Sequence, residues 1–216
     1  MADIFDEVSE ELKQDRLIQI WKKFSKYIIS FFVITILTIL SYQLFLNWSE
    51  KKLEASSQQF FTALERLDNN KYDESFKIFL KNSNEPHEGY RVMSLFGLAE
   101  TNYKIGKIRE MALNYKNIYE DVNIGLYYRN LSRLLSVMKD NISTFEQQIN
   151  ILKPILNSPS KLQLLAAELE VILHIRSDNL NEAKTKLKSL LKRIDISFEQ
   201  KSRLELINKI YYSYAE

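Results

Sequence analysis

Twenty consecutive residues without a charged side chain, Tyr27 to Leu46 (YIISFFVITILTILSYQLFL), constrain this chain more than any other stretch. The uncharged run continues to Ser49, ahead of Glu50. A helix of that length rises about 30 Å, the thickness of a bilayer hydrocarbon core. Ile, Leu, Phe and Val occupy nearly every face, whereas a helix on the surface of a globular domain keeps a polar one. The polar residues are mild (Ser30, Thr35, Thr38, Ser41, Gln43), and hydroxyls of this kind bond back to helix carbonyls. Trp21 and Tyr27 near one end and Tyr42 and Trp48 near the other suit the two membrane interfaces. The stretch reads as a transmembrane helix over 27–49, with the lipid bilayer as its partner, rather than as a buried core helix.

The arm ahead of it, residues 1–26, reads MADIFDEVSEELKQDRLIQIWKKFSK. Ile4, Val8 and Leu12 recur at helical spacing, and Leu17, Ile20, Trp21 and Phe24 continue an apolar side. Acids crowd the start and Lys22, Lys23 and Lys26 the end, as the helix dipole favours. The arm reads as an amphipathic helix on the membrane surface, with docking to a membrane partner as the alternative. Near the span, the N-terminal side carries Lys13, Arg16, Lys22, Lys23 and Lys26, and the C-terminal side Lys51, Lys52 and Arg66. The positive-inside rule therefore places the N-terminus in the cytoplasm and the large C-terminal part outside. A cleaved signal peptide fits less well, because the leading segment is long and acidic and no A-x-A site follows the apolar run closely.

Residues 50–216 are enough for one domain with a core. Four glycines and three prolines in 216 residues are too few for a chain of strands and tight turns, so the expected class is all-α. A net charge of +2 gives no pull toward nucleic acid. The absence of cysteine removes disulfides, thiol catalysis and thiolate metal sites. His87 and His174 are far apart in the chain and form no H-x-x-x-H pair, and no P-loop, G-x-G-x-x-G or G-x-S-x-G pattern occurs. No cofactor, metal or catalytic residue is expected, and the chain reads as a non-enzyme.

Helix-start signals recur at a fixed period. Asn70, Gly106, Ser143 and Asn179 lie 36, 37 and 36 residues apart, each ahead of an amphipathic stretch and each preceded by another. All four suit an N-cap, and Ser143 with Glu146, Asn179 with Glu182 and Ser197 with Gln200 have capping-box spacing. Ser158-Pro159 looks like an N-cap followed by proline at the first helical position. Each period is thus two helices and a tight turn, closed at the C-terminus by a capping helix over Ser197–Ala215. Leu95, Leu98, Ala99, Gly106, Met111, Tyr115 and Ile118 in the second unit resemble a tetratricopeptide repeat. The other units match less fully, and Gln148 replaces the usual small residue in the third. Between Lys184 and Arg193, Lys184, Lys188 and Lys192 read as a solvated face over a stripe of Ala183, Leu187, Leu190, Leu191 and Ile194. The tyrosines, Tyr214 among them, read mostly as core and groove material.

Such repeats line a concave groove with the first helix of each pair. That geometry assigns Met93, Phe96, Glu100 and Tyr103 to the groove wall, with Leu165, Glu168, Ile172 and Ile175 as counterparts in the fourth unit. These side chains would anchor an extended or helical peptide, or else pack against the C-terminal helix. The arm DIFDEVSEELKQDRLIQIWKKF and the late segment LLAAELEVILHIRSDNLNEAKTKLKSLL resemble the bacterial ancillary SecYEG translocon subunit family, as a divergent branch. That resemblance implies a single-pass inner-membrane protein with a periplasmic tetratricopeptide-like domain. It further implies association with Sec translocon subunits and with periplasmic chaperones or secretory polypeptides. The alternative is a scaffold of an envelope or cell-division complex acting through self-association, as a homo-oligomer.

Overall fold

The computed structural model describes residues 2–84 and 88–212. Every regular element among them is an α-helix: α1 (Ala2–Asp68), α2 (Tyr72–Asn82), α3 (Glu88–Lys104), α4 (Ile108–Glu120), α5 (Leu126–Lys139), α6 (Phe145–Leu156), α7 (Gln163–Arg176), α8 (Leu180–Leu191) and α9 (Phe198–Tyr212). Pro86, His87, Tyr214 and Ala215 lie outside the described residues, as do the side chains of residues 1–15, which hold the apolar positions Ile4, Val8 and Leu12. The chain forms two compact units, Met1–Glu54 and Ala55–Glu216.

In the first unit α1 is long and apolar enough to cross a membrane, and its apolar window is wholly exposed. Both threonine hydroxyls of this unit find partners without leaving the helix: Thr35 Oγ1 donates to the Phe31 carbonyl and Thr38 Oγ1 to that of Ile34, both at 2.8 Å. Toward the end of the apolar run, the Lys52 ammonium lies 3.9 Å from the centre of the Trp48 ring, a cation over an aromatic face.

In the second unit consecutive helices from α2 onward pack on one another, and α3 also touches α5. The second helix of each pair buries three residues at i, i+4 and i+7. These are Ser75, Phe79 and Asn82 in α2; Met111, Tyr115 and Ile118 in α4; Gln148, Leu152 and Ile155 in α6; and Ala183, Leu187 and Leu190 in α8. That spacing keeps three side chains on one side of a helix, which is why each helix faces its partner with the same stripe. Four core clusters result, centred on Phe79, Tyr115, Leu152 and Leu187. In the first, the Phe79 ring lies where a side chain on Gly97 would be, 2.6 Å from an ideal Cβ, so glycine lets α2 and α3 approach. Two buried polar side chains of α2 reach neighbouring helices: Ser75 Oγ donates to the Ala63 carbonyl, and Asn82 Nδ2 donates to the Ser56 carbonyl and Ser94 Oγ.

The turns correct the expected helix starts. Asn70, Gly106 and Asp178 have φ of 59°, 76° and 57° and stand 36 and 72 residues apart. At each, the next residue's N–H bonds five positions back (Lys71 to Arg66, Lys107 to Asn102, Asn179 to His174), which is a Schellman stop. Asn70 and Gly106 therefore end the preceding helix, where left-handed backbone favours Gly and Asn, rather than capping the next one. Lys71 and Lys107 hold the N-cap positions without a side-chain cap, and Asn179 is an N-cap whose side chain makes no cap bond. The third turn differs. Asp140 accepts from the Ile142 and Ser143 N–H groups, and the capping box belongs to Thr144 and Gln147, one position beyond Ser143 and Glu146. Ser158-Pro159 is not a cap: α7 starts at Gln163, and its N-cap position is Leu162, which is buried in the core and makes no side-chain cap bond. Ser197 does accept from the Gln200 N–H at 3.2 Å, while the Gln200 side chain goes elsewhere. Ala183, Leu187 and Leu190 are buried as expected, but α8 ends at Leu191, which leaves Ile194 fully exposed.

Candidate functional site

The first helices of the pairs (the last turns of α1, then α3 and α5) line an open apolar cavity of about 470 Å³. Phe60, Leu64 and Leu67 come from α1, Met93, Phe96, Gly97 and Glu100 from α3, and Tyr128, Leu131, Leu135 and Lys139 from α5. Within each helix the contributors recur every three or four residues, so one face of each points at the same space. Tyr115 of α4 closes the inner side, with its ring 6.1 Å from that of Phe96. Burial, and then the charge of Glu100, push the Tyr115 hydroxyl well above its usual range, so it stays neutral and able to donate. One end of the cavity is polar. There the Lys139 ammonium pairs with the Glu100 carboxylate and lies 4.5 Å from the centre of the Tyr103 ring. Apolar walls ending in one ion pair suit an apolar side chain carried on a polar backbone.

Met93, Phe96 and Glu100 thus share one cavity, with Tyr103 at its polar end. The sequence reading missed the contributions of α1 and α5. Phe60, Leu64 and Leu67 stand 36 residues before Phe96, Glu100 and Tyr103, so the repeat period could have found them. The other four residues do not join this cavity. Leu165 is partly exposed and Ile172 half-buried, while Ile175 packs in the core cluster of α8 and α9. Glu168 is buried, and its carboxylate accepts from Arg203 Nε at 2.7 Å, Arg203 Nη2 at 2.8 Å and Gln200 Nε2 at 3.2 Å. That bidentate bond joins α7 to α9.

Among the described residues no group of three or more His, Cys, Asp or Glu is placed to hold a metal ion. His174 has its edge against Phe145, with ring centres 4.9 Å apart. Burial, and then the charge of Lys186, hold it below the usual histidine range. Of the basic stretch, Lys188 and Lys192 are exposed, and Lys186 pairs with Glu170 at 2.9 Å. Tyr115 is core, Tyr128 lines the cavity, Tyr103 lies against Lys139 just outside it, and Tyr127 is exposed. The chain matches no family model, no curated protein and no solved structure.

Proposed function

We propose that this chain is a membrane-anchored, non-enzymatic protein–protein interaction module. The observation that carries the proposal is the apolar cavity lined by Met93 and Phe96, in a chain that also holds an exposed, membrane-length apolar helix. In this reading α1 spans the inner membrane with the N-terminus in the cytoplasm, and residues 50–216 form a periplasmic tetratricopeptide-like solenoid. The matching stops at Asn70, Gly106 and Asp178 and the four buried triads support the solenoid. The partners are Sec translocon subunits on one side and periplasmic chaperones or emerging secretory polypeptides on the other. A polypeptide would place one apolar side chain in the cavity and its backbone beside Glu100 and Lys139.

A second reading, a scaffold acting through self-association, is favoured by the C-terminal end. There Phe198, Leu206 and Ile210 of α9 are exposed together with Ile194. Replacing both Phe96 and Tyr103 by Ala should lower client binding by about tenfold or more, measured by crosslinking the full chain in membranes to secretory polypeptides. Unchanged crosslinking, with helix content intact, removes the cavity from the reading. Purification from native membranes in mild detergent then separates the two readings. Translocon subunits and chaperones should co-purify under the first, and only further copies of the chain or envelope proteins under the second.

A further inference from the structure

A second cleft differs in chemistry from the apolar cavity and is independent of it. It lies between α4 and α6, has a volume of about 440 Å³, and is floored by Arg129 and Arg133, one turn apart on α5. Tyr119 and Glu120 line one side, Asn150, Ile151 and Pro154 the other. Arg133 is held in place: it donates to Asn130 Oδ1 at 3.3 Å and to the Tyr119 carbonyl at 3.2 Å, with its guanidinium 5.0 Å from the centre of the Tyr119 ring. Arg129 Nε is shut off from solvent, and no described residue offers it an acceptor. Among the described residues neither arginine has a carboxylate within ion-pair distance. Glu120, the acid in the wall, is exposed and lies 3.7 Å from Lys116. Burial, and then the charge of Arg129, hold Arg133 below its usual range, against the opposing pull of Tyr119 and Glu120.

A buried N–H without an acceptor costs free energy, and two neighbouring guanidiniums add mutual repulsion. An oxyanion in the cleft offsets that repulsion, because each guanidinium presents a planar fork of donors that matches carboxylate and phosphate oxygens. Ile151, Pro154 and the Tyr119 ring offer apolar wall for the body that carries it. We propose that Arg129 and Arg133 form an anion-binding site, which takes one carboxylate or phosphate group of a ligand in the cleft between α4 and α6.

The test is thermal unfolding of the full chain in detergent, with sodium phosphate or sodium glutarate titrated against sodium chloride at matched ionic strength. The midpoint of the wild type should rise saturably with at least one of the two anions. Arg129→Gln and Arg133→Gln should each weaken the apparent affinity by about tenfold, while Arg91→Gln leaves it unchanged. Arg129→Lys keeps the charge without the fork, and should keep the fold while weakening the response. A response to phosphate alone points to a phosphorylated ligand, and one to glutarate alone to a carboxylate. No rise in the wild type overturns the site. So does an equal rise in Arg129→Lys and Arg133→Gln, the signature of general salt stabilisation.

Discussion

Phe96 on α3 and Glu168 on α7 occupy equivalent positions, 72 residues apart, and meet opposite fates. Around Phe96 the face stays open and apolar, between α1 and α5. Around Glu168 it is covered, because Gln200 and Arg203 of α9 hold its carboxylate. A stack of helical pairs has two ends, and an end must be closed by something whose outer side tolerates solvent. The acid at position 168 adds a charged, directional bond to the apolar burial of Leu204 at this end. Two positions 72 residues apart can therefore line an open apolar face on one helix and hold a buried ion pair on another.

Substitutions can break or sharpen that contrast. The largest effect is expected at Phe79, fully buried in the cluster it forms with Phe60 and Leu98. Phe79→Ala should cost about 4 kcal/mol in urea unfolding and should loosen the open end first. Hydrogen exchange ought to quicken in α2 and α3 before it does in α7. Arg203→Ala should turn the latched end into an open one. It leaves the buried Glu168 with Gln200 alone and should cost about 2 kcal/mol, seen as faster exchange across α9 with α2–α5 unaffected. If α9 keeps its protection, apolar packing through Leu204 closes this end and the latch idea fails. Between the two ends, Thr144→Ala should cost about 1 kcal/mol and Ser143→Ala close to nothing, because only Thr144 caps α6.

The smallest effect is a pH dependence of α7. His174 is a base whose folded pKa is lowered, so the unfolded chain binds its proton more readily. Stability should therefore be full above the ordinary histidine range and fall as pH drops through about 6.5 toward the lower folded value. His174→Gln should flatten that slope in urea midpoints measured across this range. A slope that persists in the variant assigns it to other groups.

The repeat period was legible in the sequence because buried stripes and left-handed stops both obey it. Asn70 and Gly106 mark turns at the expected period but end helices rather than start them. Both residue types suit the end of one helix and the start of the next, and only φ distinguishes the two. The third turn broke the rule because Asp140 took over the turn's N–H groups, which moved the capping box to Thr144. Phe60, Leu64 and Leu67 obey the same arithmetic, one period before Phe96, Glu100 and Tyr103. The pairing of Glu168 with Arg203 does not. Thirty-five residues separate them, and no local spacing marks which of many exposed arginines will meet a given acid.

The packing of each helix mainly on its chain neighbours has a kinetic consequence. Every pair can form as soon as its own residues are free, since closing a short loop costs little entropy. A chain emerging N-terminus first would condense pair by pair, with each new hairpin landing on a finished surface. The last event would be the arrival of Arg203 beneath Glu168, so that one charged contact would time the completion of the domain.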